Sequence, residues 1–283
     1  MLPRNRFEAL AEIVRRGKEG GYYPFFRPLS ASRGPEVEVD GRRLVMAGSN
    51  DYLGLAHDPR VVGAAADAAR RWGVGPGGSR FLCGNTTLHE TLEERLAAFV
   101  GKRHALVHTT GFTTNLGALH GLAGPGDLLL CDEESHASVV DGCLAARGRL
   151  ATFRHNDAAS ARAKLEAARS KDPEACFLIT EGVFSMSGDV AALPDLAALK
   201  RDHPSVVLYL DDAHGLGVMG PGGRGTAAHF DATGDVDFIM GTFSKALASV
   251  GGFIASDDGD AMTFLRHQRS EERRVGKECR SRW

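Results

Sequence analysis

The sequence predicts an α/β fold built around a mostly parallel central sheet with flanking helices. From residue 59 onward, helix-patterned segments alternate with short apolar runs. Two of these runs, 206–210 and 236–240, are followed by polar residues, as is typical of strands whose carboxyl ends line a ligand site. The length of 283 residues is sufficient for one large domain with a substantial core.

Residues 1–48 are predicted to form an N-terminal arm of one helix and one hairpin. Residues 4–18 carry apolar side chains at helical spacing, and Gly20 and Gly21 end that pattern. Residues 37–46 contain an Asp-Gly pair, which supplies the positive φ angles that a tight hairpin turn requires.

Residues 49–268 are predicted to form one large domain. The predicted helices span residues 59–72, 87–100, 158–169 and 193–201. The predicted strands span residues 105–107, 128–130, 176–180, 206–210 and 236–240. Alternation of this kind indicates parallel strands joined by crossover helices.

Residues 269–283 depart from this pattern, because they are densely charged and lack apolar periodicity. The string resembles the in-frame translation of a sequencing adapter. We therefore predict that it is a non-native tail and leave it out of the fold prediction.

Composition and charge restrict the class of partner. The formal net charge is -2 with no basic stripe, which favours small-molecule partners over nucleic acid. The five cysteines have irregular spacing, which is typical of reduced thiols in a cytoplasmic protein. No apolar run is long enough to cross a bilayer, and residues 1–20 do not resemble a signal peptide, so we expect a cytoplasmic protein without a transmembrane segment.

An acid, an imidazole and an amine follow the two apolar runs. Asp211 and His214 end the first run, and Lys245 follows the second. Because carboxyl ends of parallel strands meet at one edge of a sheet, these side chains are expected to share a crevice. Burial there would lower the pKa of Lys245 toward nucleophilic use.

Two other interpretations are weaker. Asp211, Asp212 and His214 could bind a divalent cation, but the nearby Lys245 ammonium would disfavour it electrostatically. Three Gly-x-Gly-x-x-Gly matches also occur, and none of them joins a strand directly to a helix as dinucleotide binding requires.

The same three side chains match the needs of pyridoxal 5'-phosphate. This cofactor takes a Schiff-base amine, an anion at its pyridine nitrogen and a partner for its ring hydroxyl. Residues 109–115, where a strand gives way to a helix, offer backbone amides for its phosphate, although an ordinary capped helix start would look the same. Thr242 could add a hydroxyl, and His136 a flat ring for stacking.

Six motifs in order resemble those of the α-oxoamine synthases, pyridoxal-phosphate enzymes of the fold-type I aminotransferase architecture. The motifs are Ser-Asn-Asp-Tyr-Leu-Gly-Leu (49–55), Gly-Gly-Ser-Arg (77–80), Ser-His-Ala-Ser (135–138), Thr-Glu-Gly-Val-Phe-Ser-Met (180–186), Asp-Asp-Ala-His-Gly (211–215) and Gly-Thr-Phe-Ser-Lys (241–245). The resemblance covers about residues 22–268.

The resemblance implies a role for each matching residue. Lys245 would carry the cofactor, Asp211 would pair with its ring nitrogen, and His136 would stack on its ring. The remaining assignments are His214 and Ser185 at the ring hydroxyl, Gly111, Phe112 and Thr242 at the phosphate, and Asn50, Ser79 and Arg27 near the substrates.

The implied reaction is the decarboxylating condensation of an amino acid with an acyl-CoA to an α-amino ketone, in biotin or sphingolipid biosynthesis. The choice among alanine, serine and glycine stays open, as does acyl chain length. The resemblance also implies a homodimer and a C-terminal small domain that is missing here. A catalytically weak cofactor-binding fragment is therefore the main alternative, and a simple aminotransferase is a further one.

Overall fold

The computed structural model describes residues 4–169 and 173–268. The described part falls into two compact units, which are divided between Ser49 and Asn50. The predicted non-native tail, residues 269–283, lies outside the described residues. None of the helices in the described part is both long and apolar enough to pass through a membrane.

The first unit contains a helix and a small antiparallel sheet. Its elements are α1 (Arg4–Glu19), β1 (Ala31–Arg33), β2 (Glu36–Val39) and β3 (Arg42–Val45). The strands pair in the order β1-β2-β3. Asp40 and Gly41 join β2 to β3 with φ angles of 51° and 72°, so both occupy the left-handed region that a two-residue hairpin turn needs.

The second unit contains the central sheet and its helices. In chain order its elements are α2 (Pro59–Trp72), α3 (Thr87–Val100), β4 (His104–His108), α4 (Gly111–Leu122), β5 (Leu128–Asp132), α5 (Ala137–Ala145), β6 (Arg149–Phe153), α6 (Ala158–Arg169), β7 (Cys176–Glu181), α7 (Leu193–Asp202), β8 (Val206–Asp211), α8 (Thr226–His229), β9 (Phe238–Thr242), β10 (Gly252–Ser256) and α9 (Gly259–Gln268).

The sheet is mostly parallel, which confirms the predicted fold class. Among the described residues its order is β4-β10-β9-β8-β7-β5-β6. β10 runs antiparallel to both of its neighbours, and the other pairs are parallel. All strands except β10 therefore end at the same edge, where Glu181 lies beside Asp211 and Asp211 beside Met240.

Both faces of the sheet are covered. Leu178 and Leu208 belong to an apolar cluster on one face, together with Leu165 of α6 and Leu196 of α7. Residues of the same strands that point the other way form a second cluster with α4 and α5, and they include Ile179, Tyr209, Leu119 and Val139. Burial on both faces explains why these strands are continuous apolar runs in the sequence.

The sequence prediction missed β6 and β10 and placed β9 too early. The strand predicted at 236–240 is Phe238–Thr242, because the Asp237 side chain turns back to accept the Leu208 amide before the strand begins. This shift puts Gly241 and Thr242 inside the sheet. β10 is short and begins with glycine, so it does not differ in pattern from a buried loop.

Candidate active site

A cavity of about 330 Å³ opens at the carboxyl edge of the sheet, which is large enough for a small cofactor. It is formed by the ends of β7, β8 and β9 and by the first residues of α4 and α5. Most of the predicted cofactor residues line it, namely Gly111, Phe112, His136, Asp211, His214, Thr242 and Lys245.

A chain of hydrogen bonds leads outward from Lys245. The Lys245 Nζ atom lies 2.6 Å from His214 Nε2, and His214 Nδ1 lies 2.7 Å from the Tyr52 hydroxyl. The Tyr52 hydroxyl in turn donates to Asn50 Oδ1 at 3.2 Å. An ammonium group can only donate hydrogen bonds, so Lys245 donates to His214 Nε2. In a neutral imidazole the single ring proton then lies on Nδ1.

Burial sets the charge states of this pair. Burial and, after it, the neighbouring Lys245 charge lower the pKa of His214 to about 4, so His214 is neutral near pH 7. Burial also lowers the pKa of Lys245, although the carboxylates of Asp211 and Glu181 oppose the shift. The amine is therefore more readily deprotonated than an exposed lysine.

Asp211 is held by a buried polar network that the sequence did not predict. Its Oδ2 atom accepts from Asn115 Nδ2 at 2.7 Å, and its Oδ1 atom accepts from the Ala213 amide at 3.0 Å. Asn115 is fully buried, donates also to Ser138 Oγ, and accepts from the Tyr209 hydroxyl at 2.8 Å. These bonds fix the orientation of the Asp211 carboxylate.

Glu181 is a second buried carboxyl group in the cavity wall, and it was not among the predicted site residues. Burial and, after it, the adjacent Asp211 charge raise its pKa to about 8. It accepts a hydrogen bond from the His136 amide. Glu181 ends the predicted strand 176–180 in the same way as Asp211 ends its own strand, and this position was the available sequence signal.

His136 is the N-terminal capping residue of α5. Its Nδ1 atom accepts from the Ser138 amide at 3.1 Å, so in the neutral ring the proton lies on Nε2. The ring borders the cavity. Its side chain thus has a fixed orientation and a free flat face, which is compatible with stacking.

The start of α4 forms a cradle for an anion. Thr110 caps this helix, and the amides of Gly111 and Phe112 lie in its first turn, where no preceding carbonyl can accept from them. A Cβ atom at Gly111 would come within 2.8 Å of Thr242 Oγ1. The absence of a side chain at Gly111 therefore keeps the hydroxyl of Thr242 open toward the cavity.

The remaining predicted residues do not line this cavity. Ser185 is exposed in the segment after β7. Ser79 is partly buried in a glycine-rich turn, where its carbonyl oxygen accepts hydrogen bonds from the amides of residues 82–84. Asn50 reaches the site only through Tyr52. Arg27 belongs to the first unit, where it pairs with Asp40.

The arrangement combines a half-buried amine, two buried carboxyl groups and an anion cradle. Such a site can form a covalent bond to a carbonyl, hold a positive ring nitrogen and anchor a phosphate. Within residues 4–169 and 173–268, no cluster of three or more histidine, cysteine, aspartate or glutamate side chains is suited to a metal ion.

Comparison with known proteins identifies close relatives. The family model for aminotransferase class I and II matches residues 43–275. The serine palmitoyltransferase of Bacteriovorax stolpii is 47% identical over 260 residues, which cover 91% of this chain and 61% of that protein. The 8-amino-7-oxononanoate synthase of Geobacter sulfurreducens is 42% identical over 248 residues, covering 88% and 63% respectively.

Solved structures agree with these matches. A serine palmitoyltransferase from S. paucimobilis with a bound PLP–myriocin aldimine superposes with a TM-score of 0.89 at 32% identity. The match covers 96% of this chain and 68% of that one. The present chain spans about three fifths of the length of the curated relatives it matches.

Proposed function

Because this chain belongs to the aminotransferase class I and II family, and within it to the α-oxoamine synthases, we propose that it binds pyridoxal 5'-phosphate at Lys245. The proposed activity of the whole protein is the condensation of an amino acid with an acyl thioester. The observation that carries the proposal is the half-buried Lys245 amine, which shares one cavity with Asp211 and the α4 cradle.

The residues present fit the cofactor. Lys245 would bind its aldehyde, Asp211 its ring nitrogen and His136 the face of its ring. The start of α4 and Thr242 would bind the phosphate. Pyridoxal phosphate, when bound, supplies an aldehyde that captures amines and an electron-withdrawing ring that stabilises negative charge at Cα. His214 and Ser185 stay predicted partners of the ring hydroxyl region.

The chain's own residues would handle protons and charge. Lys245 can accept a proton at Nζ because burial lowers its pKa, and His214 holds that atom in place. Asn115 keeps the Asp211 carboxylate turned toward the cavity. Burial excludes water from around these charges, which strengthens their interactions with any bound ion.

A reaction of the serine palmitoyltransferase type is favoured for the whole protein. The relatives with that name are 45–47% identical to this chain, and the relatives named 8-amino-7-oxononanoate synthase are 40–43% identical. Serine and a long acyl-CoA are therefore the proposed substrates, with Asn50, Ser79 and Arg27 as proposed contacts. A cytoplasmic homodimer is the proposed form. Alanine- and glycine-using relatives and a simple aminotransferase are the alternatives.

Cofactor binding is tested by adding pyridoxal 5'-phosphate to the chain, followed by borohydride reduction and peptide mass spectrometry. We expect visible imine absorbance and a phosphopyridoxyl adduct on Lys245. The variant Lys245→Ala should lose both signals, whereas Lys164→Ala, a change at an exposed helix position, should keep them. Imine absorbance that survives in Lys245→Ala would refute the assignment.

A second candidate function is cofactor binding without turnover. It is favoured by the finding that the match covers only 61% of the B. stolpii relative. Thiol release is measured with serine, alanine or glycine and palmitoyl-CoA. The chain is assayed alone and after extension with the C-terminal region of the B. stolpii relative. Turnover that appears only in the extended chain supports this candidate, and equal turnover in both chains rejects it.

A further inference from the structure

His155 lies at the same edge of the sheet as the cavity, two residues after the end of β6. Its Nδ1 atom is 3.0 Å from Asp132 Oδ1, and its Nε2 atom is 3.3 Å from Asp189 Oδ2. A third carboxylate, that of Glu134, lies 3.7 Å from Nε2. The His155 amide donates to Glu133 Oε1 at 3.1 Å.

The contacts of His155 require a positively charged ring. Carboxylates only accept hydrogen bonds, so a ring with a carboxylate at each nitrogen satisfies both only when both nitrogens carry a proton. Burial alone would lower the pKa of His155, but the hydrogen bonds to Asp132 and Asp189 outweigh it and raise that pKa above the ordinary value. Asp132 is fully buried, so this pair is little screened by solvent.

The two carboxylates belong to different parts of the fold. Asp132 ends β5 and also accepts the amides of Glu134 and Asn156, so it is anchored in the sheet. Asp189 lies in residues 182–192, the segment after β7, and its side chain is half exposed. His155 thus links the half-exposed Asp189, in the segment after β7, to the buried Asp132 at the end of β5.

Residues 182–192 turn back on themselves, with Val183 and Val190 forming an isolated bridge. The Phe184 amide donates to the Asp189 carbonyl at 2.9 Å. The Phe184 ring meets the His155 ring edge to face at a centroid distance of 4.4 Å. Ser185, one of the predicted cofactor contacts, follows directly after Phe184.

Asn156 extends the same attachment. Its Nδ2 atom donates to the Val190 carbonyl at 2.9 Å, and its Oδ1 atom accepts the Ala192 amide at 2.6 Å. Its φ angle is 54°, a left-handed conformation that asparagine tolerates better than most residues. His155 and Asn156 therefore hold the second half of the segment, residues 189–192, while its first residue, Gly182, continues directly from β7.

We propose that His155 is a positioning residue, which bridges Asp132 and Asp189 and thereby fixes the segment that carries Ser185 and directly follows Glu181 of the cavity wall. The link to the cofactor through Ser185 rests on the proposed function, whereas the fixing of the segment does not. Only the protonated ring makes both bonds. The segment therefore loosens as the pH rises through the pKa of His155, with Asp132, Glu134 and Asp189 the carboxylates that face the ring.

The test measures amide hydrogen exchange of residues 183–191 in the cofactor-free chain across a pH series, corrected for intrinsic exchange. In His155→Gln we expect about tenfold faster exchange of these residues at low pH, and no change in the strand β7. In the parent chain the exchange should accelerate at higher pH until it reaches the rate of His155→Gln. His229→Gln, which replaces an exposed histidine, serves as the matched control.

A second measurement does not depend on how His155→Gln folds. Asp189→Asn removes one half-exposed charge, and NMR titration of the ring should show a lower pKa for His155 in that variant than in the parent chain. Exchange that is independent of pH, or an unchanged titration in Asp189→Asn, would overturn the proposal. If the parent chain fails to take up pyridoxal phosphate, the proposed function falls, while these cofactor-free measurements still decide the role of His155.

Discussion

The Lys245 Nζ atom lies 2.6 Å from His214 Nε2, so the half-buried amine contacts a neutral imidazole instead of a carboxylate. Asp211 acts on this amine through its charge, as does Glu181 once it ionises. Because the imidazole must accept from the ammonium, its other nitrogen donates to Tyr52. The state of Lys245 thus depends on a residue more than 190 positions earlier in the chain.

Replacing Tyr52 with phenylalanine should change the titration of Lys245 more than the stability of the chain. The change removes the acceptor for His214 Nδ1–H and so weakens the tautomer that accepts from the ammonium. We expect the pKa of Lys245 to fall by less than about one unit. The free energy of unfolding should change by less than about 1 kcal/mol, because water can replace the hydroxyl at this exposed position.

The measurement is the pH dependence of chemical labelling at Lys245, followed by peptide mass spectrometry. Tyr22→Phe, at an exposed position in the first unit, is the control. An identical labelling profile in Tyr52→Phe and the parent chain would contradict the dependence of Lys245 on Tyr52.

Replacing Asn115 with alanine should destabilise the chain by about 2–4 kcal/mol. The change leaves the buried Tyr209 hydroxyl and one oxygen of Asp211 without their partners. Tyr209→Phe leaves only the Asn115 Oδ1 acceptor without its partner, so it should cost less, about 1–2 kcal/mol. Chemical denaturation of both variants measures the difference. Equal costs would mean that the contacts of Asn115 with Asp211 and Ser138 contribute nothing.

Glu181 should make the chain less stable as the pH rises. Its pKa in the folded chain is about 8, well above the value of about 4.5 for an unfolded glutamate, because burial and the Asp211 charge favour the protonated form. The folded state therefore binds more protons between these values. The free energy of unfolding should fall with pH in this window, by at most about 1.4 kcal/mol per unit.

The variant Glu181→Gln should lack that slope, since its amide oxygen can still accept from the His136 amide but does not titrate. Denaturation curves at a series of pH values give the comparison. A parallel pH dependence in the variant and the parent chain would show that Glu181 is already ionised in the folded state.

Two glycine-to-alanine changes should have opposite effects. At Gly111 a Cβ atom would lie 2.8 Å from Thr242 Oγ1, so Gly111→Ala should cost about 1–3 kcal/mol and weaken pyridoxal phosphate binding at least about tenfold. At Gly63, inside α2, nothing lies within 4 Å, so Gly63→Ala should stabilise the chain by about 0.5–1 kcal/mol. Thermal unfolding measures the stability of both variants, and titration with pyridoxal phosphate measures their affinity for the cofactor. Unchanged cofactor affinity in Gly111→Ala would argue against a phosphate at this helix.

Much of the second unit could be predicted from the sequence, because its elements have strong local signals. Helix α2 has the predicted bounds Pro59–Trp72, and β8 extends the predicted strand by one residue to Asp211. Asp211, at the end of β8, and Lys245, three residues after β9, both line the cavity. Continuous apolar runs are predictable because burial on both faces of a parallel sheet requires them.

Other features depend on contacts between distant parts of the chain. β10 is a strand only because β4 and β9 supply backbone partners on both of its sides. Asn115 and Glu181 look like ordinary helix and strand residues in the sequence. Parallel register places Glu181 beside Asp211, and the packing of α4 on the sheet brings Asn115 within hydrogen-bond distance of it.

By itself, the sequence determined the alternation of helices and strands, the family resemblance and the candidate site residues, since each of these follows from local spacing and residue type. Only the tertiary structure decided which groups neighbour one another. It placed the Lys245 amine against His214, Asn115 behind Asp211, and His155 between Asp132 and Asp189. The physical reason is that burial, charge state and hydrogen-bond partners arise where separate strands end at one edge, and no local pattern specifies that meeting.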